Sequence, residues 1–235
     1  MTAVNLTKGR PIDIDKQAIQ KGKLLSSAEV LLAEKPYANI SIREIASHSG
    51  VNSAMVSYYF TNKEGLFIAL LDEMSKKHFV VMQTIANSPE PIKTFIETIL
   101  TMLNKHKGLA RLIHNEFLAG NSTLSNAFID RFPRKMASFI PQLIKKHTSI
   151  EDERTAKYVA FSLVTMLITP FINKSIRQQA WGISDEELKS PLWAEHIYQQ
   201  FIFGCQRFEH NIALKNDVSL EGFAGAKCPK GAADE

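Results

Sequence analysis

The sequence predicts an all-α protein: a three-helix N-terminal domain carrying a helix-turn-helix, followed by a larger helical bundle. Apolar residues recur at three- and four-residue intervals almost throughout the chain. Val, Ile and Thr fall on that spacing rather than in alternating runs, and no Asn-Gly or Asp-Gly hairpin turn occurs. With 45% hydrophobic and 22% charged residues, the 235-residue chain has an ordinary globular composition, which excludes disorder over its whole length.

The first helix is expected over 16–35, where Ala18, Leu24, Leu25, Ala28, Leu31 and Leu32 form one apolar stripe and Pro36 stops it. Ser41 opens the second, with Glu44 three residues on. That is a capping box, in which each side chain satisfies the other's free backbone donor. Ser49-Gly50 ends this helix after barely two turns, and Asn52 can cap a third short helix ending near Tyr58. Thr61 and Glu64 have the spacing of a second box, opening a long helix through Leu66, Phe67, Leu70, Leu71 and Met74 to about residue 87. Ser88-Pro89 resets the chain, with proline at a first helical position. Later helices are expected over 90–106, 109–119, 123–147 (broken by Pro133 and Pro141), 152–180 and 191–213. Ser184 with Glu187 marks one short turn between the last two.

The apolar stretch 161–172 is cut by Ser162, Thr165, Thr169 and Pro170, short of the ~18 apolar residues of a spanning helix, so no membrane is expected. The first fifteen residues lack the apolar core of a signal peptide. Cys205 and Cys228 have no metal-type spacing, so neither a metal nor another cofactor is expected, and a reducing, cytoplasmic home is the simple expectation. The expected organisation is a basic arm over 1–15, a helix-turn-helix domain over 16–62, a helical domain over 63–214 entered through a linking helix 63–87, and a tail over 215–235.

The segment 41–60 is the specific one. A helix-turn-helix needs a small residue where its helices cross, and Ala46 supplies it; it needs a left-handed turn residue, and Gly50 follows four residues later. Ile42, Ile45, Val51 and Val56 fill the buried wedge. Ser53, Ala54, Ser57 and Tyr58 are thereby turned outward, toward a major groove. An αα-hairpin that merely packs would share part of this pattern. Charge favours nucleic acid: residues 1–63 hold eight basic side chains against five acidic ones, so +3 of the formal +4 sits in the first quarter.

The run SIREIASHSGVNSAMVSYYFTNKEGLFIALL, residues 41–71, resembles the DNA-binding segment of the TetR family of bacterial repressors. The resemblance covers roughly residues 16–75 and rests on the Ser opening the second helix, Ile-Ala, Gly-Val, Tyr-Tyr-Phe and Lys-Glu-Gly-Leu. It implies that Ser41, Tyr59 and Lys63 hold phosphates, that Arg43 reaches a base edge, that Ser53, Ala54 and Met55 enter the groove, and that Tyr58 lies against the DNA backbone. Many members carry Tyr where Ser57 stands and Gly where Pro36 stands. Residues 52–60 carry no charge, so Arg43 is the sole candidate in the motif for a bidentate fork to guanine. Asn52 can pair with adenine or cap; Met55 can touch a thymine methyl or pack inward; Tyr58 can meet phosphate or stay half-buried. Lys8, Gly9 and Arg10 are either a solvated end or an arm reaching an adjacent groove.

Residues 90–213 show no catalytic motif: no nucleophile elbow, phosphate loop or zinc-helix pattern, and none of the seven histidines follows a Glu by three positions. No enzyme is expected. The family resembled pairs its last two long helices across a two-fold axis, which implies a homodimer contact through Phe161, Val164, Ile168, Phe171, Trp193, Ile197, Phe201 and Phe208. Those residues can equally build an intramolecular core. Met102, Phe117, Phe128 and Met166 are candidate lining for an unidentified small-molecule effector, with His106, Arg111 and His114 as polar groups, Arg111 and His114 being spaced to hold an anionic head. The expected function is a repressor that binds a palindromic double-stranded DNA operator as a dimer, at the nucleoid, and leaves it when the effector binds. The alternative is a DNA-binding protein of the same fold without an effector, organising the chromosome or working with a protein partner.

Overall fold

The computed structural model describes residues 14–113 and 122–212, without the side chains of residues 111 and 207–212. Ile14 and Asp15, expected in the arm, already belong to α1; the expectations placed on the rest of the arm, the tail, the side chains of Arg111 and Phe208, and on His114 and Phe117 lie outside the described residues. Within them run α1 (Ile14–Glu34), α2 (Ile42–Ser49), α3 (Ala54–Phe60), α4 (Lys63–Ile85), α5 (Pro91–Lys105), α6 (Lys107–Leu112), α7 (Thr123–Arg131), α8 (Pro133–His147), α9 (Glu153–Ile172), α10 (Lys174–Trp181) and α11 (Pro191–Ile212). Among the described residues there is no strand.

The apolar stripe of α1 is buried through Leu24, Ala28, Leu31 and Leu32, and it packs on α2, α4 and α6. Pro36 stops α1, and the 3₁₀ turn Tyr37–Asn39 swings the chain into α2. There Ser41 Oγ accepts from the Glu44 amide at 3.2 Å. The Glu44 carboxylate is held below its usual range first by Lys35, at the end of α1, and also by the Ser41 amide. The box thus caps α2 and ties it to α1 at once. In the body, α5 buries Ile92, Phe95, Ile96, Ile99, Leu100 and Leu103 toward α8, α9 and α11. The linking helix α4 is clamped to α7 by Arg131, whose Nε and second guanidinium nitrogen donate to the two Asp72 oxygens at 2.6 and 3.1 Å.

Several sequence expectations are corrected. The helix after Ser88 begins at Pro91 rather than Pro89, so proline does occupy a first helical position, two residues later. Pro133 separates α7 from α8, but Pro141 is buried inside α8 without ending it. Residues 152–180 form two helices, parted at Asn173. Helix α9 reaches a mean hydropathy of 1.5, long and apolar enough by length and composition to cross a membrane, despite its interrupting residues. Ser184 and Glu187 make both bonds of their box, Ser184 N to Glu187 Oε2 at 2.7 Å and Glu187 N to Ser184 Oγ at 3.1 Å.

Candidate nucleic-acid interface

Ala46 of α2 is buried, and the turn between α2 and α3 places Gly50 at φ 66°. The Val51 amide donates to the Ala46 carbonyl at 3.2 Å, and Ile45, Val51 and Val56 close the wedge beneath. Met55 also turns partly inward onto this core. Asn52 acts as a cap: its Oδ1 accepts from the Ala54 amide at 2.9 Å. The outer surface then consists of Ser41, Arg43, Asn52, Ser53, Ala54, Ser57 and Tyr58, all exposed. Tyr58 is 64% exposed, too much for a core aromatic.

Two residues implied as phosphate contacts have partners inside the domain. The Tyr59 hydroxyl donates to Gln20 Oε1 at 2.7 Å, which joins α3 to the first turns of α1, and the Lys21 ammonium lies 5.3 Å from the Tyr59 ring centre. Lys63 Nζ donates to the Tyr37 carbonyl at 2.7 Å and sits 4.1 Å from the centre of that ring. Sequence spacing gives no hint of either link, because the partners lie 39 and 26 residues away.

The exit from α3 also departs from expectation. Thr61 does not cap α4; it adopts φ 69°, ψ −50°, and the Asn62 amide donates to the Phe60 carbonyl at 2.8 Å. This is a γ-turn with positive φ, a strained geometry for a β-branched residue. Asn62 takes over as the cap, its Oδ1 accepting from the Gly65 amide at 2.8 Å. Relieving the turn with Thr61→Gly is expected to raise stability by about 1 kcal/mol, since strain of this kind costs ~1–3 kcal/mol and glycine's larger unfolded-state entropy takes some back. A urea midpoint at or below wild type would contradict it.

The N-terminal domain meets the body where α1 packs on α4 and on α6, at the corner between α5 and α6. Glu29 of α1 pairs with His106 Nδ1, and the His106 ring stands edge-on to His78 of α4, 5.3 Å between centres. His106 therefore faces the domain junction. Burial, then the neighbouring His106, pushes His78 down to about 4, while its bond to His106 holds Glu29 below the usual carboxylate range. Both depressed groups act in one direction. They contribute stability above their unfolded values and lose it as pH falls, for His78 between about 6.5 and 4. Allowing for the partial exposure of His78, the loss it causes by pH 5 is on the order of 1 kcal/mol. The fall in melting temperature from pH 7 to pH 5 should accordingly be smaller in His78→Gln than in wild type; an equal fall would contradict this.

The body holds three spaces that matter. An inner cavity of about 50 Å³ is lined only by apolar residues, Met102 and Phe128 among them, together with Val164 and Ile168. Met166 lies elsewhere, on an open groove of about 580 Å³ with Trp181 and Trp193. A third space, a cleft of about 670 Å³, runs between α1 and the body and includes Phe171.

The residues expected at a dimer contact accordingly divide. Val164 and Ile168 face the inner cavity, Phe171 the cleft, and Ile197 and Phe201 are buried in the protomer's own core. The four- and three-residue spacing along α11 marks the inward stripe, which Cys205 continues. The outward face of α9 and α11 carries Tyr158, Phe161, Leu192 and Phe203, between 62% and 79% exposed, with Trp193 half-buried at the groove. Sequence reasoning missed Tyr158, one turn before Phe161, and Leu192 and Phe203, which lie off the inward stripe of α11.

Residues 24–70 match the bacterial regulatory proteins of the tetR family. The probable HTH-type transcriptional regulator YttP of Bacillus subtilis is 30% identical over 213 residues, 85% of this chain and 97% of that protein. The fatty acid degradation regulator FadR from Bacillus halodurans superposes with a TM-score of 0.64 at 17% identity, covering 78% of this chain and 94% of that one. The transcriptional regulator FadR from Bacillus subtilis, solved in complex with stearoyl-CoA, gives a TM-score of 0.62 at 18% identity over 77% of this chain and 97% of that one. At these identities the two structures show the shared fold.

Proposed function

This chain belongs to the tetR family of bacterial regulatory proteins, and on that premise we propose a dimeric repressor that reads a palindromic operator with α3 and is released by a small-molecule effector bound in the helical body. The observation that carries the reading is the outer face of the helix-turn-helix. Exposed Ser53, Ala54, Ser57 and Tyr58 stand above the buried Ile45, Val51 and Val56, and Arg43 of α2 is exposed as well. A face with hydroxyls, an aromatic edge and one guanidinium suits groove contact, with affinity coming largely from phosphates and falling steeply with salt. The role needs binding and release, not catalysis.

Dimerisation is supported by the outward face of α9 and α11. Large apolar side chains exposed together at Tyr158, Phe161, Leu192 and Phe203 are costly on a lone protomer, and a second copy would bury them. A two-fold pair also presents two α3 helices to successive major grooves. Coupling between effector and operator is supported at Gly108 of α6, where an added Cβ would come within 2.8 Å of the Leu32 backbone in α1. The two backbones pack there with no room for a side chain, so a shift of α6 toward α1 must displace it.

The test is operator binding by fluorescence anisotropy, on the upstream DNA of the protein's own gene and on scrambled DNA. Arg43 is exposed, so Arg43→Ala should melt as wild type does. It should bind the operator about 10- to 100-fold more weakly, the range of one bidentate base contact, with little change on scrambled DNA. Equal binding of operator by variant and wild type would remove Arg43 from base readout.

A further inference from the structure

We propose that the effector is an amphipathic anion, whose apolar chain enters the inner cavity and whose anionic head is held by Lys107, Lys174 and Lys189 in the cleft between the DNA-binding domain and the body. The inference rests on the ligand-responsive reading above and names the ligand's chemistry. It comes from two spaces that adjoin. Leu103 belongs to the wall of both the apolar cavity and the cleft. On one side of that residue the lining is apolar throughout, including Phe95, Met102, Phe128 and Ile168. On the other, four cationic side chains face two carboxylates, Glu34 and Asp185.

Arg177 is not available to a ligand. It is buried, and its guanidinium is committed to the Pro170 and Ile183 carbonyls and to Asp185. Lys107, Lys174 and Lys189 are exposed. Lys174 meets Asp185 at 2.6 Å and Lys189 meets Glu186 at 2.6 Å, but exposed ion pairs of this kind are worth at most about 1 kcal/mol and exchange readily for a ligand anion. A carboxylate or phosphate head satisfies the cleft; only a methylene chain satisfies the cavity. A small anion would leave the cavity unused, and a neutral hydrocarbon would leave the lysines unused.

The same placement provides the trigger. At about 50 Å³ the cavity holds little more than the first methylenes of a chain, so a longer chain must push its walls apart. Leu109 of α6 is one of those walls, and Gly108 beside it lies on the backbone of α1. The head, meanwhile, sits against Ala33, Glu34 and Pro36, where α1 ends. Chain and head both act on the domain junction.

The experiment is calorimetric titration of the full-length protein with dodecyl phosphate below its critical micelle concentration, dodecanol and inorganic phosphate, with operator affinity measured alongside. Each protein's melting transition is checked in the presence of the amphiphile. Wild type should bind dodecyl phosphate at least about tenfold more tightly than dodecanol, and inorganic phosphate more weakly still. Lys107→Gln/Lys189→Gln should lose about tenfold for dodecyl phosphate and nothing for dodecanol, while Ile168→Phe, which fills the cavity, should lose both. Equal affinity for the alcohol and the phosphate ester, or insensitivity to the lysine variant, overturns the head site. Tight binding of inorganic phosphate alone assigns the cleft to a free anion and overturns the amphiphile. If no amphiphile binds while the operator is still recognised, the ligand class is wrong and the regulator reading stands. If dodecyl phosphate binds as expected but operator affinity does not change, the site stands and release by it does not.

Discussion

Gly65→Ala is expected to destabilise the protein by about 2–4 kcal/mol and to abolish operator binding near its new melting point, although alanine in a helix ordinarily gains ~1 kcal/mol over glycine. The sign reverses because of one contact. A Cβ at position 65 would stand 2.0 Å from the Phe60 carbonyl oxygen and 3.2 Å from the carbonyl carbon, both backbone atoms. That carbonyl cannot move aside, since it accepts the Asn62 amide that closes the turn at Thr61. Relief would require opening the γ-turn, and with it the Asn62 cap on α4 and the angle between α3 and the linking helix. Gly22, which has nothing within 4 Å of its added Cβ, is the control: Gly22→Ala should be neutral or stabilising. Thermal melts of the two variants beside wild type check both signs, and a Gly65→Ala protein as stable as wild type would contradict the turn geometry.

The second large effect is expected from placing charge on the outward face of α9 and α11. Phe161 and Phe203 are 74% and 62% exposed in the protomer, so Phe161→Glu/Phe203→Glu removes little of its own core. It would instead set four carboxylates in the proposed two-fold contact, where a buried unpaired charge costs several kcal/mol. The variant should sediment as a folded monomer. Its operator affinity should fall by about 100-fold or more, because one recognition helix no longer brings the second to its half-site. Ile197→Glu, by contrast, should simply unfold the protein, since Ile197 is 3% exposed. A dimeric, operator-binding double variant would place the contact elsewhere.

The N-terminal domain was the most legible part of the sequence because its determinants are local. The small residue at Ala46, the left-handed Gly50 and the Ser41 box each act within a few positions, and the outward set at Ser53, Ala54, Ser57 and Tyr58 follows from them. Where one local signal competed with another, the reading failed. Thr61 and Glu64 have box spacing, but Asn62 is an equally good cap, and once Thr61 is used in the γ-turn only Asn62 remains. Pro141 reads as a break, yet it is buried and the core packing of α8 outweighs the one lost backbone bond.

The body was legible as helices but not as faces. Apolar residues lie on more than one side of α9 and α11, so periodicity alone cannot say which side a protomer covers by itself: Ile197, expected at the contact, is buried, and Phe203, which the spacing did not single out, is exposed. His106 stood in sequence beside Arg111 and His114, yet its partner is Glu29, 77 residues away on another helix. Long-range pairs of this kind leave no spacing to read.

The central statement, that this is a dimeric regulator reading symmetric DNA through α3 and Arg43, is tested most directly by selecting bound fragments from a random DNA pool. Such a pool does not depend on where the operator lies in a genome. The predicted result is enrichment of an inverted repeat with half-sites about one helical turn apart, or a multiple of it, by wild type and not by Arg43→Ala. A folded wild-type protein that enriches no motif, or the same motif as Arg43→Ala, would contradict it.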